Sequence, residues 1–559
     1  MNSHSRQPAP WPVWIGLTVA FVTVGYPVLM IFLQSVAPNF SGDRDAGLFA
    51  PFRELTKTPG IAQMWITSLN CAAVTTLLSW LLGLPAGWLL ARVNLPGKTF
   101  FRVSLLLPVM SPPYLLALAY VLVFQKQGLF DSFVFSLPES VRNLFFSFWG
   151  VVFVMSLTSF GTVALLVEAS LQGISTRLED AARCLNAPPW SIFQRITLPL
   201  LIPALLNSGI LVFVDTLSNF GVAAVLGPRS DLLLLPTAIY EMLTTWPVDV
   251  PLAAALSALL AVTAMLLVTV SRFVIGSKVF TNGRLPANNL IKLKFSHKSW
   301  VFLFFGGLFL FSALIPNFTV FLMSIIERWQ GGRPTFTIKH YQSLLSWGSG
   351  GSEALATSCL LSLAAATACV AIGGLVAYAL SRFRGLGATL LDYLSLLPRV
   401  IPNLVIAVAM ILAWNAPWLP FRIYGTVGIL ILAYVGIYQA IALRFGDAAM
   451  QLLAPRLEHA ASCLRAPRHS ILTRIVFPMM APSLFVAWIT IFIMCLRDWV
   501  ASIMLLPPGV QTVGSYIFSQ FEQGDFSQAM SMSVCTVVLS SGLLVIANIR
   551  FYQKTIFPT

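Results

Sequence analysis

The strongest constraint on this chain is the recurrence of apolar stretches long enough to cross a bilayer. One crossing needs about 20 mainly apolar residues in a helix. Twelve candidate stretches follow one another, at about 11–35, 65–91, 102–124, 145–168, 199–225, 250–275, 299–326, 355–381, 390–414, 424–445, 478–505 and 527–549. The first is too long for a cleaved signal and no small-residue cleavage site follows it, so it is expected to remain as a span. Composition points the same way. Hydrophobic residues make up 57% of the 559, charged residues only 10%, and mean hydropathy is +0.83. A soluble fold could not hide that much apolar side chain. A cytosolic enzyme, a disordered scaffold and a nucleic-acid-binding module are excluded, and the expected class is an all-α polytopic membrane protein.

The net charge of +14 has a topological cause. With the N-terminus placed inside, 22 Lys and Arg fall in cytoplasmic segments and 10 outside, while Arg399 and Arg497 lie within spans. This satisfies the positive-inside rule. It places both termini in the cytoplasm and needs no nucleic acid to explain a basic chain. The seven cysteines form no CxxC, and no two histidines have the spacing of a helical metal site.

The chain also contains itself twice. Leu178 through Pro199 recurs as Leu457 through Pro478, at an offset of 279. Pro108 and Pro112 recur as Pro398 and Pro402, at an offset of 290. Six spans per half is an even number, so the halves are expected to be parallel repeats about an axis along the membrane normal. The boundaries are a first repeat at 1–275, a basic cytoplasmic linker at 276–298 and a second repeat at 299–559. Such an architecture suits either a secondary carrier or the membrane part of an ATP-driven pump.

The repeated segment decides between them. Each copy falls on the cytoplasmic side between the fourth and fifth spans of its half. Each reads as a short helix, a turn at Ala187-Pro188 or Ala466-Pro467, and a second short helix whose proline, Pro199 or Pro478, opens the next span. Ala181, Ala182, Ala460 and Ala461 would let another backbone approach closely. Leu185 and Leu464 could fill a pocket, and Glu179 and Glu458 could meet basic partners. These are the features of a helix that docks in a groove. An amphipathic helix resting on headgroups is the competing reading, but it gives no reason for the same spacing to recur.

At these residues the chain resembles the binding-protein-dependent ABC importer permeases, whose signature is Glu-Ala-Ala, three residues, Gly, nine residues, Ile-x-Leu-Pro. Here it stands as Asp180-Ala181-Ala182, Asn186 and Ile196 to Pro199, then as His459-Ala460-Ala461, Arg465 and Ile475 to Pro478. Asn186 can adopt a left-handed turn cheaply and Arg465 less so. The resemblance implies the type I importer permease fold, with each loop a coupling helix seated in a cytoplasmic ATPase subunit. The implied partners are two copies of that ATPase, a periplasmic or extracellular solute-binding protein docking on the loops at about 36–62 and 327–353, and the lipid bilayer. The implied location is the bacterial inner membrane. The chain itself is expected to be no enzyme and to hold no cofactor. Its Gly97-Lys98-Thr99 lacks the glycine five residues earlier that a phosphate-cradling loop needs, position 92 being Arg. ATP and Mg would be bound by the partner subunits.

Ionisable groups in or near spans mark pathways or partners. Asp215, Asp392, Arg399, Arg497 and Asp498 are of this kind. An Arg399–Asp498 pair across helices and a gate or anion path are both open readings. Asn219 corresponds to Asp498, and Asn219-Phe220-Gly221 resembles a run found in the iron, thiamine and sulfate branch of these permeases. The fused two-half length resembles the ferric-iron group, which makes iron the expected cargo. Aminoethylphosphonate, thiamine or another small ligand is the alternative, and a proton-driven carrier a more distant one.

Overall fold

A computed structural model describes residues 11–38, 47–129, 131, 136–174, 177–275, 295–327, 335–346, 348–420 and 422–547. Most of the basic linker, both chain ends and parts of the two expected binding-protein loops lie outside the described residues. The described chain is mostly helical, joined by turns and loops, with an isolated bridge between Ile326 and Phe336.

Ten helices set out the first half among the described residues. They are α1 (Trp11–Val36), α2 (Ile61–Arg92), α3 (Lys98–Met110), α4 (Pro113–Phe124), α5 (Phe148–Gly173), α6 (Arg177–Cys184), α7 (Pro189–Leu217), α8 (Phe220–Leu226), α9 (Leu235–Thr244) and α10 (Val250–Ile275). The second half repeats them in order. They are α11 (Lys298–Ser324), α12 (Gly350–Arg382), α13 (Leu386–Arg399), α14 (Asn403–Trp414), α15 (Val427–Leu452), α16 (Pro455–Cys463), α17 (His469–Leu496), α18 (Val500–Leu505), α19 (Val513–Glu522) and α20 (Phe526–Ala547). Three short helices, Ala50–Lys57, Glu139–Phe145 and Lys339–Leu345, lie between these.

Ten helices among the described residues are long and apolar enough to span a membrane. The third and ninth expected spans are instead bent pairs, α3 with α4 at 88° and α13 with α14 at 114°, which bring the count to twelve if each pair is one crossing. The breaks fall at Ser111-Pro112 and Ile401-Pro402, where proline removes a donor and restricts the residue before it. The fifth and eleventh spans begin and end earlier than expected. Their helices stop at Leu217 and Leu496, and 199–225 and 478–505 each contain a second, separate helix, α8 and α18.

Pro199 and Pro478 do not open new helices. Each sits two residues past a five-residue π turn, Phe193–Thr197 or Leu472–Val476, inside one continuous helix. Pro27 in α1 and Pro316 in α11 follow π turns at Phe21–Gly25 and Leu310–Leu314 in the same way. A proline cannot donate to the carbonyl four residues back and its ring crowds that oxygen. Widening the preceding turn relieves the clash while keeping the backbone paired.

The core of each half is a close pair of long helices, α2 with α5 and α12 with α15. A Cβ on Gly83 would fall 2.6 Å from Val163 Cβ, and one on Gly373 would fall 2.5 Å from Ala442 Cβ. The first helix of each half packs on the other half. Tyr26 of α1 donates to the Ala413 carbonyl of α14 (3.1 Å), and Tyr120 of α4 donates to the Phe311 carbonyl of α11 (2.5 Å). The halves therefore embrace each other, and α1 and α11 act as reciprocal straps.

Candidate functional site

Two regions carry the expected site residues: the paired elbows α6 and α16, and a cavity between the halves.

The elbows share one turn. At the first, the amide of Ala187 donates to the Ala182 carbonyl (3.1 Å) and that of Asn186 to the Arg183 carbonyl (2.9 Å). At the second, Ala466 donates to Ala461 (3.1 Å) and Arg465 to Ser462 (2.9 Å). This is a Schellman cap, which needs a left-handed residue just after the helix. Asn186 (φ 55°) and Arg465 (φ 57°) both occupy that position. The arginine therefore pays the steric cost that glycine or asparagine avoids. Leu185 and Leu464, just before the turn, are each 84% exposed. Ala181 and Ala460 are exposed, and Ala182 and Ala461 half-buried. Asp180, half-buried, takes a hydrogen bond from Arg183 (2.8 Å), while its counterpart His459 is exposed. Pro199 and Pro478 are exposed on the adjoining helices.

The two glutamates are not free to meet an outside partner, which corrects the expectation drawn from sequence. Glu179 is 4% exposed. Its Oε1 lies 3.2 Å from Arg92 Nη2 and accepts a hydrogen bond from Thr197 Oγ1 (3.1 Å). Glu458 Oε1 accepts from Arg382 Nε (2.8 Å), with Nη2 at 2.7 Å. Arg92 and Arg382 end α2 and α12, so each bolts its half's longest helix to its elbow. Sequence reading passed over both arginines because their carboxylate partners lie 87 and 76 residues away. The signal was available: they stand 290 apart, the offset of the repeated prolines.

The bolts are not identical. Thr197 and Arg183, which reinforce Glu179, are replaced at the 279 offset by Val476 and Ser462. Nearby, Arg102 pairs with Glu168, whereas the corresponding positions hold two acids, Asp392 and Asp447.

The cavity has a volume of ≈530 Å³ and is walled by both halves at the α3–α4 and α13–α14 breaks. Asp215, Asn219, Arg399, Arg497 and Asp498 all line it. Asn219 and Asp498 are equivalent in structure as in sequence. Asn219 Oδ1 caps α8 at the Val222 amide (3.1 Å), and Asp498 Oδ2 caps α18 at the Ala501 amide (3.0 Å). Asp498 Oδ1 also accepts from Tyr438 (3.2 Å). Among the described residues Arg399 makes no ion pair with Asp498, so the cross-helix pair is not formed. Asp498 instead accepts hydrogen bonds from its own cap and from Tyr438. Asp392 is exposed and away from the cavity lining.

An aromatic group closes one side of the cavity. Phe220 and Trp499, one residue beyond the two caps, touch each other across the halves (ring centroids 5.1 Å), and Tyr114 and Phe518 pack on Trp499 (5.1 and 4.4 Å). Beyond it, Arg229 of the first half lies over the Phe521 ring of the second (5.4 Å).

Residues 83–277 match the family of binding-protein-dependent transport system inner membrane components. That match covers about a third of the chain, which over most of its length is similar to permeases of such binding-protein-dependent systems in their fused, duplicated form. It is 24% identical over 539 residues to the ferric transport system permease protein FbpB of Actinobacillus pleuropneumoniae, covering 95% of this chain and 76% of that one. It is 26% identical over 511 residues to a putative ferric transport system permease protein FbpB 1 of Haemophilus influenzae, covering 90% and 79%. It is 29% identical over 190 residues to the molybdenum transport system permease protein ModB of Escherichia coli, covering 33% and 80%.

Proposed function

We propose that this chain is the membrane subunit of an ATP-driven ferric-iron importer in the bacterial inner membrane, with both termini in the cytoplasm. The observation that carries the reading is the duplicated elbow. Two short helices with the same left-handed cap present the same outward leucine, and each is bolted by an Arg–Glu pair to the longest helix of its half. Such a pair suits docking of two copies of one cytoplasmic ATPase, which bind ATP and Mg themselves. This chain supplies no cofactor and no hydrolysis.

The coupling follows from rigidity. When the ATPases close, they carry Leu185, Leu464 and the alanine faces with them. A buried ion pair costs several kcal/mol to break, so Arg92 and Arg382 pass the displacement into α2 and α12 instead of letting the elbows slide. The halves rock, and the Phe220–Trp499 contact, which lies where they meet, parts to admit solute from a docked binding protein into the cavity. Hydrolysis restores the contact. Ferric iron as cargo is supported by the relatives named for it, which match over nearly the whole chain. Another cargo has one observation in its favour, the molybdenum permeases that match part of it.

The test is uptake of radioactive ferric iron by proteoliposomes holding this chain with its ATPase and binding protein. Uptake should require ATP and both partners, and should fail when Ala182→Glu and Ala461→Glu are combined. Iron accumulation by the chain alone, or undiminished uptake in the double variant, overturns the reading.

A further inference from the structure

The cavity contains two guanidinium groups that the fold does not need. Arg399 ends the 3₁₀ turn Leu397–Arg399 beside the α13–α14 break and is exposed to the cavity. Its guanidinium makes no hydrogen bond or ion pair among the described residues. Arg497 follows the last residue of α17, and its Nη1 is buried without a hydrogen-bond partner. The repeat shows what these positions require structurally. The first half places Val109 and Ser218 at the corresponding offsets of 290 and 279, and builds the same break and the same helix end without charge. Both cationic groups are therefore additions, on one side of the pseudo-two-fold, aimed at a shared space.

Among the described residues the acids in the cavity form no ion pair with either arginine, although the Asp498 charge acts on Arg497 through space. Asp498 is engaged by two backbone amides and Tyr438. Asp215 stands on the first-half wall, outside ion-pair distance of either arginine. The remaining polar lining includes neutral donors such as Ser111, Asn219 and Asn403. Among the described residues no three His, Cys, Asp or Glu side chains converge as a metal site. A planar guanidinium fork is matched to carboxylate and phosphate oxygens and repels a bare cation.

We propose that this cavity is a transit subsite for an oxyanion, with Arg399 and Arg497 as its partners, so that a ferric cargo crosses as an anionic phosphate or carboxylate complex and not as the naked ion. The statement about iron rests on the import reading above; the anion subsite does not. Passage then needs no exchange of metal ligands inside the membrane. The binding must also be weak enough to release, which two fixed charges with no enclosing ligand cage provide.

The experiment is equilibrium binding of radiolabelled inorganic phosphate and citrate to this chain with its ATPase in nanodiscs, beside gallium(III) supplied without either anion. Phosphate, citrate or both should bind, which also distinguishes the two oxyanion sources. Arg399→Gln and Arg497→Gln should each weaken binding about ten- to a hundredfold, the loss of one charged hydrogen bond. Arg399→Lys, which keeps the charge without the fork, should weaken it less. Co-purification of the ATPase with each variant reports that the fold and elbows are intact. Failure of both anions to bind, anion binding untouched in both glutamine variants, or tight gallium binding that ignores the arginines overturns the proposal. Iron uptake with no anion binding would leave the import reading standing and remove this one; arginine-dependent anion binding without iron uptake would do the reverse.

Discussion

Phe220 and Trp499 occupy equivalent positions in the two halves, 279 residues apart, and their rings touch at 5.1 Å. Two equivalent residues can meet only on the axis that relates them. Trp499 is 1% exposed and also contacts Tyr114 and Phe518. Trp499→Ala would remove about 3–5 kcal/mol of packing from the closed arrangement. Because the contact joins the halves directly, the loss should fall on the closed state. ATPase activity of the reconstituted transporter should then no longer depend on the binding protein. Trp499→Phe, which makes the two positions alike, should keep that dependence. An alanine variant that still needs its binding protein would show that these rings do not hold the halves shut.

The Arg92–Glu179 pair is more buried than its counterpart, with side chains 2% and 6% exposed against 20% and 12% for Arg382–Glu458. Leaving one partner of a buried pair alone costs about 3–5 kcal/mol. Glu179→Ala should therefore lower thermal stability more than Glu458→Ala, as read by a melting scan in detergent. The exchanged pair Arg382→Glu with Glu458→Arg should recover transport better than either single change, since its surroundings are wetter.

Leu185 and Leu464 bury almost nothing within the chain. Seating a leucine in a groove contributes about 1.5–3 kcal/mol, so Leu185→Asp with Leu464→Asp should abolish co-purification of the ATPase while the melting temperature of the permease alone stays put. Each single change should leave partial capture, because the other elbow still docks.

Cys184 and Cys463 are also equivalent, and they are the two cysteines among the seven that are exposed. They sit on the elbows beside those leucines. A membrane-impermeant maleimide should add two labels to the isolated permease and close to none once the ATPases are bound, counted by intact-mass spectrometry. Equal labelling with and without the ATPase would place the docking surface elsewhere.

Much of this was legible in the chain. The spans, the repeat, the elbows and the equivalence of Asn219 with Asp498 rest on hydrophobic length and fixed spacing, which a linear sequence carries directly. The left-handed turn was not legible at Arg465, because an arginine there gives no sign of the conformation that glycine or asparagine would announce. What was hidden depends on long-range contact. The role of Glu179 required knowing that α2 ends beside α6. The separate α8 and α18 were hidden because Ser218-Asn219 and Arg497-Asp498 interrupt the apolar runs for only two residues each. The reciprocal straps α1 and α11 left no mark at all, since an apolar helix reads the same whichever half it covers.

The tight helix pair in each half contains a natural experiment. In the first half Gly87 of α2 faces Val167 of α5, and a Cβ on Gly87 would fall 2.8 Å from Val167 Cβ and 2.4 Å from the Ala164 carbonyl oxygen. In the second half the small residue has changed sides: Ala377 of α12 faces Gly446 of α15, where an added Cβ would fall 2.7 Å from Ala377 Cβ. The offsets of 290 and 279 make these the same contact. Gly87→Ala alone should cost about 1–3 kcal/mol by overpacking and lower the melting temperature. Adding Val167→Gly copies the second half's solution, and should recover much of that loss. The part not recovered should be the clash with the Ala164 carbonyl, which the second change cannot relieve. A double variant no more stable than Gly87→Ala alone would mean that the carbonyl, and not the facing side chain, sets the separation of α2 and α5.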